Sequence, residues 1–395
     1  MTDILQDARR LAAARIALTR SIDRGSVVLS SRLAEVFLNV PRHPFVPVFY
    51  RRDGERFTPW RVTDGDPEGW LDQVYADDSL ITEVDGLHAE QAGPEGVTGV
   101  PTSSSTAPGL MADMLDALDV RPGTTVLEIG TGSGYNAALL SRLAGDGCVA
   151  SVDRSAALVA LARDRLAATG HTPFVRQGDG AAGLPGRAPY DRIIATCSVR
   201  HIPPAWLEQL LPGGVMVVPV KGALAGGLVV RLTKLPDGTA AGHVLHTPAS
   251  FMPLESGPRR SVPGPGAVPS TAVRRRSPLP ASVLDDWTFS FFADIRFPAG
   301  TVRGHGRDSE GRRVTTLYDP SDGSGAHIAE PSRGGSEVTV FGPHDLWSTA
   351  EEAHEEWLRL HRPRREWFTI EAAPGRQTLA HTPPGGPPRH WPLTG

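Results

Sequence analysis

The chain has 395 residues and a mass of 42.1 kDa, which exceeds one ordinary domain and suffices for two. Apolar residues make up 40% and charged residues 21%, a balance that supports a sizeable core and excludes wholesale disorder. The formal net charge of −4 argues against general binding to nucleic acid or to a membrane surface. Two cysteines far apart in the sequence exclude a disulfide framework and a cysteine-rich zinc site.

The N-terminal segment is charged and amphipathic, without an apolar stretch of signal-peptide length. No window approaches the ~18–20 apolar residues that a membrane span needs. We therefore expect a soluble, cytoplasmic protein. We also expect no metal site, since no histidines have the spacing of a ligand pair and His243 and His246 would point to opposite faces of a strand. The oligomeric state stays open.

The first hundred residues show helices followed by a long irregular region. Apolar residues at helical spacing predict helices over 4–18 and 30–38. Residues 51–101 are polar, acidic and glycine-rich, which predicts a loop region with few short elements.

From residue 124 onward, strand and helix patterns alternate. Strands are predicted at 125–129, 148–153, 173–176, 190–196 and 214–220, and helices at 135–143, 155–169 and 204–211. This alternation is typical of a doubly wound parallel α/β sheet, with antiparallel strands at 228–232 and 242–245 completing it.

The last third has linker and α+β character. Six prolines within 254–281 predict a linker. Beyond it, strands are predicted at 287–297 and 338–341 and a helix at 350–360. Five regions are predicted: a helical and loop region that contributes to the substrate site (1–105), a catalytic core (106–253), the linker (254–281), an additional C-terminal domain (282–380) and a flexible tail (381–395). The C-terminal domain is expected to serve either as a substrate-recognition domain or as a lid.

Gly130, Gly132 and Gly134 alternate where the first predicted strand meets its helix. Without Cβ atoms such a turn lets the backbone approach a ligand lying across the strand end. The signal alone is weak. It partly matches the dinucleotide-binding fingerprint through Gly132-x-Gly134-x-x-Ala137, and it also matches the turn that binds S-adenosylmethionine (SAM).

Three acidic residues favour SAM. Glu128 precedes the first glycine, in a position to act near the ammonium group of the cofactor or to order the turn. Asp153 ends the next strand about 20 residues on, as an acceptor for a ribose diol does. Asp179 follows the third strand and suits an adenine amino group. Purely structural alternatives are that Asp153 caps the next helix and that Asp179 makes a turn.

Several segments resemble the protein-L-isoaspartate O-methyltransferases, over about residues 1–250. The glycine turn, VLEIGTGSGYNAA at 126–138, closely resembles the SAM-binding turn of that family. Other segments resemble its blocks in the same order: VPRHPFVP at 40–47, YADDSL at 75–80, GDG at 178–180, APYD at 188–191, IPP at 202–204 and LPGG at 211–214. The resemblance implies a class I SAM-dependent methyltransferase fold and SAM as cofactor. The predicted cofactor-binding residues are Glu128, Gly130, Thr131, Gly132, Ser133, Gly134, Tyr135, Asp153, Arg154, Gly178, Asp179 and Gly180.

Two features depart from the family. Where the repair enzymes carry Ser-Gln-Pro, with the serine at the acceptor carboxylate, this chain has Thr106-Ala107-Pro108. The preceding loop is longer, with 83–101 as the expected insertion, and the chain continues well beyond residue 250. Both departures resemble the branch that tailors ribosomally made peptides in graspetide or lanthipeptide maturation.

That branch implies a specific activity. The enzyme would methylate an ordinary aspartate of a modified, cyclised precursor peptide, and the ester would close to an aspartimide that opens to isoaspartate. The alternative is a protein-L-isoaspartate (D-aspartate) O-methyltransferase that repairs damaged proteins. A non-catalytic scaffold has no need of the three acidic residues.

Hydroxyl groups are predicted to serve the acceptor side. A carboxylate is already ionised at pH 7, so methyl transfer needs alignment and partial desolvation more than a strong base. The resemblance indicates Thr106 as the first such residue. Ser103, Ser104 and Ser105 are its predicted neighbours.

Overall fold

The computed structural model describes residues 4–23, 29–224, 226–255, 268–308, 310–330 and 335–393. These belong to two units, the first formed by Met1–Cys197 with Ala205–Val217 and the second by Ser198–Pro204 with Val218–Gly395. This division differs from the predicted core boundary at residue 253, because the strands between 228 and 244 belong to the second unit. No described helix is long and apolar enough to cross a membrane.

Two helices open the first unit, α1 (Ala8–Asp23) and α2 (Ser31–Asn39). The Asp7 carboxylate accepts hydrogen bonds from the amides of Arg9 and Arg10 (3.0 and 3.1 Å), so α1 begins and ends later than its predicted range. Ser30 caps α2 by accepting a hydrogen bond from the amide of Leu33 (3.3 Å).

The region predicted as a loop is instead a six-stranded antiparallel sheet with one helix. Its apolar side chains, among them Tyr50, Phe57 and Val84, form a buried cluster. Strands this short, with polar residues on the outer face, give little alternation in the sequence, which explains the error. The elements are β1 (Val48–Asp53), β2 (Arg56–Arg61), α3 (Pro67–Val74), β3 (Leu80–Val84), β4 (Leu87–His88), β5 (Val97–Thr98) and β6 (Pro101–Ser105). The strand order is β4-β3-β1-β2-β5, and β6 pairs with β3.

The rest of the first unit is the predicted doubly wound sheet. Its elements are α4 (Pro108–Leu118), β7 (Val126–Ile129), α5 (Tyr135–Ala144), β8 (Val149–Asp153), α6 (Ala156–Ala168), β9 (Phe174–Gln177), β10 (Tyr190–Ala195), α7 (Pro204–Gln209) and β11 (Leu210–Val220). Five parallel strands have the order β9-β8-β7-β10-β11. Val126, Leu127 and Ile129 are fully buried, as strands covered on both faces require.

The strand order determines where a ligand can bind. The chain enters the sheet at β7, moves outward through β8 and β9, and then returns to β10 on the other side of β7. Ligands of open α/β sheets bind outside the carboxyl ends of the strands where the order reverses. The predicted glycine turn follows β7, and Asp153 and Asp179 lie at and after the carboxyl ends of β8 and β9.

The second unit contains two sets of antiparallel strands. Its elements are β12 (Leu228–Lys234), β13 (Ala240–Val244), β14 (Val273–Ser277), α8 (Ser290–Asp294), β15 (Val302–Arg307), β16 (Arg313–Asp319), β17 (Ser324–Ala329), β18 (Ser336–Phe341), α9 (Leu346–Arg359), β19 (Thr369–Ala373), β20 (Arg376–His381) and β21 (Arg389–Pro392). One set has the order β12-β13-β19-β20-β21, and the other forms a five-stranded sheet with the order β14-β18-β17-β16-β15.

Three predictions in this unit need correction. The strand expected over 287–297 contains helix α8, because its closely spaced phenylalanines are packed in a core rather than alternating across a sheet. Part of the expected linker is strand β14, in which Arg275 forms ion pairs with Asp345 and Glu351. The expected tail includes β21. Residues 256–267 of the predicted linker lie outside the described residues.

Candidate functional site

The glycine turn has the backbone conformation that its sequence predicts. Gly130 and Gly132 have positive φ angles of +94° and +50°, which L side chains rarely adopt. A Cβ atom on Gly130 would lie 2.6 Å from the hydroxyl of Thr196, and that hydroxyl donates to the Gly130 carbonyl at 2.5 Å. A Cβ atom on Gly132 would meet Ser103 Oγ and the Ser104 carbonyl, both at 3.7 Å. The turn therefore lies beside strand β6, and the positive φ of Gly132 is what favours glycine at this position.

Asp153 connects the turn to the next strand. One carboxylate oxygen accepts a hydrogen bond from the amide of Gly132 (3.0 Å) and the other from the amide of Ser155 (3.0 Å). Ser155, rather than Asp153, caps helix α6 by accepting from the amide of Leu158 (3.3 Å). Each carboxylate oxygen has two lone pairs, so Asp153 has acceptor capacity left for the hydroxyl groups of a ligand.

The segment after β9 forms a tight turn. The amide of Gly178 donates to the Asp153 carbonyl (2.9 Å), and the Asp179 carboxylate accepts from the amide of Ala181 (2.9 Å). Trp206 Nε1 donates to the Gly180 carbonyl (2.8 Å). Asp179 thus makes the turn foreseen as its structural alternative, and the turn lies at the same sheet edge as Asp153.

Glu128 lies under the glycine turn and is fully buried. Its two carboxylate oxygens accept hydrogen bonds from Asn136 Nδ2 (2.8 Å) and Ser151 Oγ (2.5 Å). The Ser151 hydroxyl also bonds with that of Thr131 (2.6 Å). Burial raises the pKa of Glu128 to about 7, although both donors oppose the shift. Of its two predicted roles, this geometry matches the ordering of the turn.

The remaining predicted residues around the turn lie at its exit and along β8. Ser133 Oγ accepts from the amide of Tyr135 (3.4 Å), and the Tyr135 ring packs against Phe45 with centroids 5.7 Å apart. Burial raises the pKa of Tyr135. The carbonyl of Arg154 accepts a hydrogen bond from Gln177 Nε2 (3.3 Å).

Three of the four predicted acceptor residues, Ser103, Ser104 and Ser105, form the end of strand β6, and Thr106 follows it directly. The burial of the four alternates. Ser103 and Ser105 are buried, whereas Ser104 and Thr106 are half-buried. Ser103 Oγ accepts from the hydroxyl of Thr82 (3.1 Å), and Ser105 Oγ accepts from Arg42 Nε (3.3 Å). Because side chains alternate across a strand, Ser104 lies on the less buried face.

Arg42 holds this strand in place. Its side chain is fully buried, and burial lowers its pKa to about 10. The guanidinium donates to five backbone carbonyl groups, those of Val74, Ala76, Asp78, Ser105 and Thr106, at 2.9 to 3.2 Å. It therefore fixes the end of β6 against the segment that follows α3.

Two side chains also fix the start of helix α4. Ser79 Oγ accepts a hydrogen bond from the amide of Ala107 (3.0 Å), and the Asp77 carboxylate accepts one from the amide of Gly109 (2.6 Å). These contacts position the backbone on both sides of Pro108, directly after Thr106.

Sequence reasoning missed several residues that organise the site. Arg42, Asp77 and Ser79 lie inside segments quoted for the family resemblance, but their roles depend on contacts about 30 to 60 positions away in the chain, which no local pattern reveals. Asn136 follows the glycine turn and donates a hydrogen bond to Glu128. An acidic residue in a buried strand requires such a donor, so the sequence could have indicated one.

Two other chemistries find no support at this site. Burial raises the pKa of Cys197, after β10, to about 12, which suppresses the reactive thiolate. Among the residues that the structure describes, no group of three histidine, cysteine or acidic side chains is placed to hold a metal ion.

Comparisons with known proteins identify the family to which the chain is similar. Residues 92–258 match the family model described as protein-L-isoaspartate(D-aspartate) O-methyltransferase (PCMT). A protein-L-isoaspartate O-methyltransferase of Methanopyrus kandleri is 37% identical over 54% of this chain and 80% of its own length. One from Ignicoccus hospitalis is 32% identical over 60% of this chain and 95% of its own length.

Solved structures agree on the fold. One titled as a protein-L-isoaspartate O-methyltransferase has a TM-score of 0.52 at 20% identity, and the match covers 93% of this chain and 99% of that one. The predicted class I methyltransferase fold, with an additional C-terminal α+β region, is confirmed. Together with the identities and coverage of the two relatives, these findings show that the chain belongs to the protein-L-isoaspartate O-methyltransferase family.

Proposed function

We propose that this protein uses SAM to methylate the free carboxylate of an isoaspartyl residue in a polypeptide. The observation that carries the proposal is the meeting of two elements at Gly132. The glycine turn at the switch point of the parallel sheet lies beside β6, the strand that ends at Ser105, directly before Thr106.

The residues at the turn fit SAM as the methyl donor. The Asp153 carboxylate accepts hydrogen bonds from the ribose hydroxyls, and the Asp179 carboxylate accepts one from the adenine amino group. Gly130 and Gly132 allow the rest of the SAM molecule to lie close to the ends of the strands. Buried polar atoms beside the turn, Tyr135 Oη and Asn136 Oδ1, have no hydrogen-bond partner within the described residues. The proposed cofactor-binding residues are those predicted from the sequence. Within this set, Thr131, Ser133, Arg154 and the glycines contribute backbone atoms to the binding site.

The acceptor side needs orientation. When bound, SAM supplies an electrophilic methyl group that an ionised carboxylate oxygen accepts by in-line displacement from sulfur. Ser104, on the less buried face of β6, and Thr106, directly after that strand, donate hydrogen bonds that orient the carboxylate. Ser103 and Ser105 support the strand through Thr82 and Arg42. Such alignment is worth several kcal/mol of the barrier.

The comparisons favour repair of isoaspartyl residues over the tailoring of a modified precursor peptide. The tailoring hypothesis depended on the altered acceptor segment and the C-terminal extension. However, a solved chain that matches 93% of this one is titled as a protein-L-isoaspartate O-methyltransferase, so the extension does not by itself indicate a special substrate. Thr106 also retains a hydroxyl group at the position where the resemblance implies a serine beside the acceptor carboxylate.

The decisive experiment uses one linear peptide in two forms. The peptide contains a single isoaspartyl or a single aspartyl residue and is incubated with the protein and SAM, and methyl ester is detected by mass spectrometry. We expect ester on the isoaspartyl form alone. Ester on the aspartyl form, or reaction only with a cyclised precursor, would replace this proposal with the peptide-tailoring activity and its aspartimide product.

A further inference from the structure

A pocket within the second unit contains two cationic side chains. The pocket is small and partly open to solvent. Arg200 and Lys221 contribute the cations, and Asp294 also lines the pocket. Lys221 is one of only two lysines in the chain. The remaining walls are mostly apolar and are formed by Val220, Leu228, Phe291, Ile295 and Leu393, with Gly222 and Gly226.

The protein itself provides the two cations with few hydrogen-bond acceptors. Within the described part of the chain, no acceptor lies within hydrogen-bonding distance of the Arg200 guanidinium, and Lys221 Nζ makes one long bond, 3.4 Å, to the Gly222 carbonyl. Burial lowers the pKa of both side chains. Partly buried cations without close acceptors are costly, so a bound anion would relieve an existing penalty.

Asp294 does not supply the missing acceptor. It is 5% exposed, and its carboxylate oxygens accept hydrogen bonds from the amides of Gly222 and Leu224. These bonds fix the carboxylate in the pocket lining, where it attracts both cations without forming an ion pair within 4 Å to either in the described residues.

Gly222 keeps the space between the charges open. A Cβ atom at this position would lie 2.7 Å from both Asp294 oxygens and 2.8 Å from Arg200 Nη2. Any side chain would therefore occupy the volume that faces the guanidinium. The space beside the two charged side chains therefore depends on the absence of a side chain at Gly222.

The charge and the composition of the walls indicate which ligand the pocket binds. Two cations and one carboxylate line the pocket, and the carboxylate of Asp319 also acts on Arg200. The site therefore favours a monoanion that the Arg200 guanidinium can bind directly, whereas a dianionic phosphate would be repelled by both carboxylates. Arginine presents a planar pair of donors that matches a carboxylate. The apolar walls suit a carboxylate attached to an aliphatic or aromatic group.

We propose that this pocket binds a carboxylate of a polypeptide, as a contact separate from the carboxylate that is methylated. The polypeptide nature of the ligand rests on the proposed function. The binding itself is measured without methyl transfer, so failure of one is distinguishable from failure of the other.

The test measures binding of a labelled peptide that lacks any isoaspartyl residue and ends in leucine. Fluorescence anisotropy compares the free C-terminal acid with the C-terminal amide, in wild type and in Arg200→Gln. We expect the acid to bind wild type at least tenfold more tightly than the amide, and Arg200→Gln to remove this difference. Arg376→Gln, at an exposed arginine of the same unit, should preserve it.

Additional peptides and variants show whether the carboxylate belongs to a C-terminus or to a side chain, and they distinguish a local effect from loss of the fold. An amidated peptide with an internal glutamate that binds as tightly as the acid, and loses affinity on replacement by glutamine, assigns the pocket to side-chain carboxylates. Arg200→Lys should retain part of the preference, and Gly222→Ala should lose it with both charges present. Equal affinity for acid and amide peptides, or tighter binding of a phosphorylated peptide, overturns the proposal.

Discussion

At the residue scale, Glu128 makes stability depend on pH. Its pKa is raised from 4.5 to about 7 by burial, so the folded state binds a proton more tightly than the unfolded state. The stability from this group is fully present below about pH 4.5 and is lost as pH rises through about pH 7.

We expect Glu128→Gln to remove this dependence. Between about pH 4.5 and about pH 7, the free energy of unfolding of the wild type should fall relative to that of the variant by up to about 3 kcal/mol. Urea unfolding at several pH values measures both. The control is Glu35→Gln, at an exposed carboxylate that pairs with Arg142. Parallel curves for wild type and Glu128→Gln would contradict the prediction.

Asp153 is the residue that best tests the cofactor site. Asp153→Asn keeps an acceptor for the amide of Gly132 but removes the negative charge offered to the ribose hydroxyls. Because hydrogen bonds to a charged group contribute about 1.5–3 kcal/mol, the SAM dissociation constant should rise about ten- to hundredfold. Isothermal titration with SAM measures it.

The control for this variant is Asp164→Asn, at an exposed position of helix α6, which should bind SAM like the wild type. An unchanged SAM affinity in Asp153→Asn would remove this residue from the site. A far-ultraviolet spectrum distinguishes a local effect from loss of the fold.

At the element scale, strand β6 has one face for support and one for the acceptor. Thr106→Ala should lower kcat about tenfold or more and leave SAM affinity within about twofold, because it removes a hydroxyl that orients the carboxylate. Thr106→Ser should restore the rate. Steady-state kinetics on the isoaspartyl peptide separates kcat from the KM for each substrate.

Ser105→Ala, on the buried face of β6, provides the matched comparison. It removes the acceptor for Arg42 Nε, so we expect the free energy of unfolding to fall by about 1 kcal/mol or more with kcat nearly unchanged. If Ser105→Ala lost turnover while Thr106→Ala retained it, the two faces would have the opposite roles.

The elements also show what the sequence can reveal. The parallel strands are nearly continuous apolar runs, since both faces of β7 and β10 are covered, and their ranges were predicted within a few residues. The six-stranded antiparallel sheet was missed, because its strands are short and its pairing depends on partners such as Leu80 with Ser105. The same distinction applies to the candidate site. The glycine turn and Asp153 could be predicted from local sequence patterns, whereas Arg42 acts through contacts with residues distant in the sequence.

At the scale of the whole molecule, the two proposed binding sites lie in different units. The proposed SAM site is formed entirely by residues of the first unit, and the carboxylate pocket entirely by residues of the second. A ligand that binds only the folded state stabilises it by about 2.7 kcal/mol at 100 times its dissociation constant. Hydrogen exchange shows which segments gain protection.

We expect S-adenosylhomocysteine, the demethylated form of the cofactor, to protect the carboxyl ends of the central parallel strands. Amide exchange followed by mass spectrometry should slow in peptides covering 126–136, 149–156 and 177–183, and remain unchanged in peptides covering 302–341. Asp153→Asn should abolish the protection at equal ligand concentration, because the site loses its charged ribose acceptor. Protection confined to 302–341, or equal in all four regions, would contradict the placement of the cofactor at the glycine turn.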